Sequence, residues 1–219
     1  MGVSTQVHQW RIDDSEYRRH ERRRGRRFAY EVADPSRTCL VVVDMVRFFV
    51  DESAYARGIV PNINRAATAL RDAGGSVAWV VPSVMAPSEW QVGFYGTEVA
   101  ESYAASGGSG APSDRVAAEL TVEVADLVVE KFASSAFFPG CCDLHEYLRQ
   151  AGITRVMIAG TVTSVCCEST ARDAAALGYE VIFLGDATAD VSDLAHNAAL
   201  RTVYRSFGDV RGVDELFRP

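Results

Sequence analysis

From about residue 36 onward the chain alternates short Val- and Ile-rich runs with stretches of helical spacing, and this alternation limits the fold more than any other feature. The runs are Cys39 to Val43, Val77 to Val81, Leu127 to Val129, Val156 to Ala159 and Val181 to Leu184. Each is apolar at every position rather than at every second one. A strand apolar on both faces has to be covered on both faces, which is the condition of a parallel sheet lying between helices. Between the runs, Asn62 to Ala73, Leu144 to Ala151, Val165 to Leu177 and Leu194 to Phe207 carry apolar residues at helical spacing. Gly74, Gly152 and Gly178 close three of them. Asp209 to Arg211 adds a short last strand. The predicted architecture is a three-layer α/β/α Rossmann-like fold, with a mainly parallel sheet of about six strands and right-handed crossovers.

A chain of 219 residues suits one such core. The predicted domain spans residues 36–219, preceded by an arginine-rich arm, residues 1–35. Arg18 to Arg27 reads RRHERRRGRR. Such a run is a solvated arm or helix face, or it contacts an acidic surface of a second subunit. A homo-oligomer, dimer or tetramer, is expected. The net charge of −7 argues against nucleic acid as a partner. No apolar run approaches the roughly 20 residues of a membrane span, so no membrane partner is expected. Met1 to Asp14 is polar, without the apolar stretch of a signal peptide, and the cytoplasm is the expected location. Ser83 to Ser113 breaks the alternation with Pro87, Gly107, Gly108, Gly110 and Pro112, and reads as a long functional loop with aromatic residues on a pocket wall.

Three strand ends carry residues able to do chemistry. In open α/β sheets ligands bind beyond the carboxyl ends of the strands. Asp44 follows LVVV, Lys131 follows LVVE, and Cys166 lies just past the Gly160 that ends MIAG, where the next helix begins. Lys131 is the sole lysine among 22 Lys and Arg residues. Arginine serves most surface roles, whereas lysine alone shifts its pKa readily when buried. The cysteines, Cys39, Cys141, Cys142, Cys166 and Cys167, form an odd set with two adjacent pairs, which is a poor disulfide framework and lacks zinc spacing. A cysteine at a helix start, a carboxylate to take its proton and a lysine beside both would make an activated nucleophile. Asp44 as a turn cap and Cys166 as core filling are the plain alternatives.

The ordered motifs then point further. Gly160 to Asp190, GTVTSVCCESTARDAAALGYEVIFLGDATAD, resembles the signature of the isochorismatase-like cysteine hydrolases. LVVVDM resembles that superfamily's catalytic-aspartate strand, and VEKFASSAFF its catalytic-lysine segment. His196 with Asn197 and Ala198, after the DATAD turn, also fits, and the likeness covers about residues 36 to 210. It implies Cys166 as nucleophile, Asp44 as general base and Lys131 as supporting cation. It further implies a cis peptide at Thr161–Val162 and an oxyanion hole formed by the N–H groups of Val162 and Cys166. Cys167, turned about 100° from its neighbour on a helix, is expected in the core.

Val46 stands where the superfamily often has glutamine. The nicotinamidase branch binds a metal through an Asp-x-His pair and further histidines, but no histidine lies between His20 and His145, so no metal and no other cofactor is expected. The vinyl-ether hydrolase branch lacks the cysteine. What remains is the metal-free amidohydrolase branch, and TSVCCEST looks closest to ureidoacrylate and N-carbamoyl amidohydrolases. The resemblance implies cleavage of an amide, carbamoyl or ureido C–N bond of a small-molecule substrate through a thioester. A vinyl-ether hydrolase using Asp44 as acid, or a non-catalytic binding protein of the same fold, are the alternatives. Phe49, Trp90, Phe94, Tyr95, Phe137 and Phe138 are candidates for the substrate pocket wall.

Overall fold

The Val- and Ile-rich runs become the strands of one sheet in the computed structural model, which describes residues 4–31 and 34–216. In chain order the main elements are α1 (Asp14–Arg24), β1 (Thr38–Val43), α2 (Arg47–Glu52), α3 (Ala54–Asp72), β2 (Ser76–Pro82), α4 (Glu89–Tyr95), α5 (Thr97–Ala104), β3 (Leu127–Lys131), α6 (Leu144–Gln150), β4 (Arg155–Thr161), α7 (Glu168–Ala176), β5 (Glu180–Ala189), α8 (Asp193–Ser206) and β6 (Asp209–Arg211). The six strands lie in the order β3-β2-β1-β4-β5-β6, and every neighbouring pair is parallel. This is an α/β fold with helices on both faces. Each residue of β1 is buried, as its unbroken apolar run requires.

Alternate strand residues feed two cores. Leu40, Val42 and Trp79 pack against Ile59, Ile63, Ala66 and Leu70 of α3. Cys39, Val41, Val43 and Val80 face the other way, toward Leu144 and Leu148 of α6, Ala171 of α7 and Leu200 and Val203 of α8. The order of connection reverses between β1 and β4, so the crevice beyond their carboxyl ends is the topological switch point of the sheet. Gly160 lets the two ends come together there. Its φ is +112°, and a Cβ at this position would fall 2.1 Å from the Val43 carbonyl oxygen.

The segment from Ser83 to Ser113 differs from the expected loop, since it contains α4 and α5. The sequence signal is SEWQ. Ser88 Oγ accepts from the Gln91 N–H, and Gln91 Oε1 accepts from the Ser88 N–H, a capping box that the surrounding prolines and glycines obscure. Likewise α3 begins before Asn62, at Ala54, with Gly58 and Pro61 inside it. β5 also runs past Gly185 to Ala189.

The arginine-rich arm lies against its own domain. Glu16 of α1 is buried and accepts from Arg201 and Arg205 of α8. Tyr17 meets Tyr204 edge to face at 5.1 Å, and the Arg27 guanidinium lies 3.6 Å from the Tyr17 ring centre. Beyond the helix, the fully buried carboxylate of Asp209 accepts from the Ala29 and Tyr30 N–H groups and pairs with Arg24 and Arg211. Arg18, Arg22 and Arg23 stay exposed.

Asp209 is thus the link that fixes the end of the arm to the sheet. Replacing Asp209 with Ala leaves two buried arginine contacts and two N–H groups without an acceptor, and is expected to lower stability by about 3 kcal/mol or more. Urea unfolding followed by circular dichroism checks this, with faster proteolysis around residues 25–31 as the local sign.

Candidate active site

Asp44 sits one residue past β1 in a backbone conformation that non-glycine residues rarely adopt, with φ 55°. Its N–H donates to Val80 O at 2.8 Å, and its own carbonyl accepts from the Val46 N–H at 2.9 Å. The turn drives the carboxylate into protein, where Asp44 is 1% exposed. Lys131, at the end of β3, is 5% exposed. It stands two strands from β1, about 10 Å at the usual spacing, and its long side chain spans that gap. Its Nζ reaches Asp44 Oδ2 at 2.8 Å and donates to Ala133 O at 3.0 Å. The third contact of this ammonium is Cys166 Sγ at 3.6 Å. Three residues widely separated in the chain therefore meet at one nitrogen.

Cys166 reaches this point on the turn between β4 and α7. Residues Thr163–Cys167 form a π-type turn, in which the Val165 and Cys167 N–H groups both donate to Val162 O. The peptide Thr161–Val162 is cis, at the position the resemblance implies. Thr163 Oγ1 bonds His196 Nδ1 at 2.9 Å, and the Ser164 N–H donates to Asp190 Oδ2 at 2.7 Å. His196 Nε2 in turn bonds Gly185 O at 3.0 Å. Cys167 points away into the core and is fully buried, as expected of its position on the turn.

The electrostatics follow from burial. Desolvation raises the pKa of Asp44, against the opposing pull of Lys131 and Cys166. Burial opposes the charge of Lys131, but the Asp44 carboxylate and Cys166 outweigh it, and the ammonium pKa is raised. Burial also pushes the Cys166 thiol up to about 12, aided by Asp44 and opposed by Lys131. Lys131 pulls the thiol down, but desolvation is stronger. Among the described residues Asp44 Oδ1 is buried without a hydrogen-bond partner, so it can take a proton.

The aromatic candidates divide. Trp90, Phe94 and Tyr95 are exposed on α4; Trp90 stacks on Phe94, and Tyr95 meets both edge-on. Tyr95 meets Tyr103, Tyr103 meets Phe48, and Phe48 meets Phe49, so one aromatic band runs from α2, beside Asp44, out to Trp90. Phe138 is exposed on a shallow 340 Å³ hollow lined also by Ala133, Ser135, Ser169 and Arg172. Phe137 is not a wall of that kind. It is 4% exposed and packed into the core, with its ring 5.3 Å from Tyr179. Its N–H donates to Ser135 Oγ at 3.0 Å.

Asp190 and Thr163 were not singled out individually by sequence reasoning, although both lie inside the quoted motif. The DATAD turn was the available signal, since a carboxylate just past a strand end can cap a neighbouring turn. Among the described residues, no group of three or more His, Cys, Asp or Glu is arranged to hold a metal ion.

An all-parallel sheet between helices, with a buried carboxylate, ammonium and thiol gathered at its switch point, is the build of an α/β enzyme. The Isochorismatase domain model matches residues 38–215. The chain belongs to the isochorismatase family and is a hydrolase of that family. It is 29% identical to the ureidoacrylate amidohydrolase RutB of Pseudomonas syringae pv. syringae (strain B728a), over 83% of each chain. A cysteine hydrolase from Pseudomonas syringae pv. phaseolicola 1448A has a similar structure, with TM-score 0.74 and 27% identity, covering 87% of this chain and 95% of that one. So does an N-carbamoylsarcosine amidase from Thermoplasma acidophilum, with TM-score 0.65 and 27% identity, covering 82% and 98%.

With its thiol pKa raised to about 12, Cys166 is expected to react with iodoacetamide far more slowly than a free cysteine near pH 8, with a rate that rises as pH increases. Lys131→Ala removes the charge that pulls the thiol down, so the rate profile should move to still higher pH. Alkylation rates measured by mass spectrometry across pH check both, and a shift toward lower pH in Lys131→Ala would contradict the electrostatic account.

Proposed function

We propose that the protein is a cysteine-dependent amidohydrolase that cleaves an amide, carbamoyl or ureido C–N bond of a small molecule through a thioester. The observation that carries this reading is the meeting of Asp44, Lys131 and Cys166 at one ammonium nitrogen. The names of the amidohydrolase and amidase relatives support the same bond type. Among the described residues no helix is long and apolar enough to cross a membrane. All five cysteines are free thiols, which fits a reducing compartment, and the cytoplasm is the proposed location. Assembly into a homo-oligomer, with the exposed arginines of α1 available to an acidic surface, belongs to the same proposal.

In the proposed reaction, the substrate carbonyl carbon lies against Cys166 Sγ. As the S–C bond forms, the thiol proton passes to Asp44. A thiol with a pKa near 12 makes this a concerted general-base step rather than attack by a preformed thiolate. The raised pKa of Asp44 makes it a better acceptor than an exposed carboxylate. Lys131 remains charged and holds both partners while the negative charge moves from oxygen to sulfur and on to the carbonyl oxygen. The N–H groups of Val162 and Cys166 are the proposed donors to that oxyanion. Collapse breaks the C–N bond, and Asp44 returns the proton to the leaving nitrogen. Water then attacks the thioester and gives its proton to Asp44. Breaking the C–S bond releases the acid, and the sulfur recovers its proton. The aromatic band from Phe49 to Trp90 is the proposed wall on the α2 side of the substrate.

The deciding experiment is an ammonia-release screen over amides, carbamoyl compounds and ureido acids, with Cys166→Ala as the control. Cys166→Ala and Asp44→Asn are expected to abolish turnover. Lys131→Arg keeps the charge, but its planar fork does not fit the slot of an ammonium, and a loss of at least about 100-fold is expected, or about 2.7 kcal/mol in the barrier. Circular dichroism should show each variant folded. Full turnover by Cys166→Ala would replace this reading with chemistry run by Asp44 alone, as in vinyl-ether hydrolysis.

A further inference from the structure

The turn that carries Cys166 is held from two sides, and both holds lead to a histidine outside residues 38–215, the part matched by the family model. Thr163 is held by His196, and Ser164 by Asp190. His8, 5% exposed, touches both of these partners. Its Nε2 accepts from the Asp190 N–H at 3.0 Å. Its Nδ1 lies 2.6 Å from Asp193 Oδ1. Its ring is sandwiched between Tyr55, at 3.8 Å and 7° between planes, and His196, at 4.1 Å and 9°. Because Nε2 accepts, the proton belongs on Nδ1, where the Asp193 carboxylate receives it.

The rest of the segment is built to stay in place. The Gln6 N–H donates to Ala54 O at 2.9 Å, and Arg57 Nε donates to Ser4 O at 2.9 Å. Further on, the Arg11 N–H donates to Asn197 Oδ1 at 2.7 Å, and Asn197 Nδ2 donates to Gln9 O at 3.1 Å. The domain also leaves space for this passage. A Cβ on Gly58 would lie 1.7 Å from Gln6 O, and a Cβ on Gly185 would lie 2.8 Å from the Trp10 ring. Side chains of α3 and α8 and a glycine of β5 are thus fitted to residues 4–12.

We propose that residues 4–12 are a strap of the active site, and that His8 is a positioning residue for the Cys166 turn. It fixes the backbone of Asp190 and the ring plane of His196, and these hold Ser164 and Thr163, which open the turn. This inference rests on the reading of Cys166 as nucleophile. Without the His8 ring, a buried N–H at Asp190 loses its acceptor and one face of His196 loses its packing. The turn then samples positions in which the sulfur is misaimed, and a displacement of about 1 Å is enough to cost about 100-fold in rate.

The test compares His8→Ala, His8→Phe and His8→Gln with wild type and with Tyr17→Ala, which loosens α1, C-terminal to the strap, through its contacts with Tyr204 and Arg27. His8→Phe keeps a stacked ring and loses both hydrogen bonds, so it serves where His8→Ala does not fold. Hydrogen exchange of the amides of residues 163–167 and the alkylation rate of Cys166 need no substrate, while kcat and KM are measured on the substrate found by the ammonia screen. In His8→Ala and His8→Phe, exchange in this turn should speed up by about tenfold or more. In the same variants kcat should fall about 10- to 100-fold with little change in KM. His8→Gln, whose Oε1 can accept from the Asp190 N–H, should recover part of both. Unchanged exchange and kcat in folded His8→Phe would overturn the strap, whatever the fate of the functional reading. Equal losses in Tyr17→Ala would also overturn it, because general destabilisation would then explain them. A wild-type protein without Cys166-dependent turnover would instead overturn the functional reading itself, independently of the exchange result.

Discussion

The ion pair between Asp44 and Lys131 is the interaction on which the site depends. A carboxylate 1% exposed is costly unless a cation and hydrogen bonds compensate for the lost water. The cation comes from the edge strand of the same half-sheet, 87 positions later in the chain, and its reach sets where the carboxylate can stand. An arginine would meet a carboxylate through a fork of donors, whereas the ammonium offers three donors around a point. Those three are used on Asp44, the Ala133 carbonyl and the Cys166 sulfur. This explains, in physical terms, why a chain that uses arginine everywhere else retains one lysine here.

The sheet order supplies the remaining geometry. With β1 and β4 adjacent and their connections running in opposite directions, the carboxyl ends of the two strands meet at the switch point of the sheet. Asp44 enters it from β1 through a turn with positive φ, and Cys166 enters from β4 through a π-type turn. Both are irregular backbone at the end of a rigid strand. Local strain of this kind persists where surrounding structure over-determines it, which here means the Val80 carbonyl holding the Asp44 N–H and Asp190 holding Ser164.

Much of this was legible in the sequence, because parallel strands buried on both faces announce themselves as unbroken apolar runs, and each catalytic candidate directly follows such a run or opens the next helix. Less was legible where tertiary contacts override local signals. Gly58 and Pro61 read as helix breakers, yet α3 runs through both, and the missing Cβ at Gly58 serves a contact with Gln6 that only the folded chain creates. The capping box at Ser88 was hidden among prolines and glycines. Phe137 and Phe138 are neighbours in one motif, but one is packed in the core and the other is exposed, and nothing in their sequence context distinguishes them. His8 left no pattern at all, since a lone histidine in a polar stretch acquires meaning only from partners distant in the chain, Tyr55 and, more than 180 positions away, Asp190 and Asp193.

The protonation state of the sulfur connects the fold to the chemistry. A cysteine activated as a permanent thiolate would be open to oxidants and alkylators at all times. Here desolvation pushes the thiol up to about 12 despite the lysine at 3.6 Å. The proposed acceptor for its proton, Asp44 Oδ1, lacks a hydrogen-bond partner among the described residues. In the proposed reaction, proton transfer to Asp44 becomes favourable when a carbonyl arrives where the new negative charge can be received. The same burial that suppresses the free nucleophile strengthens every charge interaction made in the transition state. In the proposed reaction, selectivity for a bound carbonyl over a passing electrophile follows from where the sheet places its three strand ends.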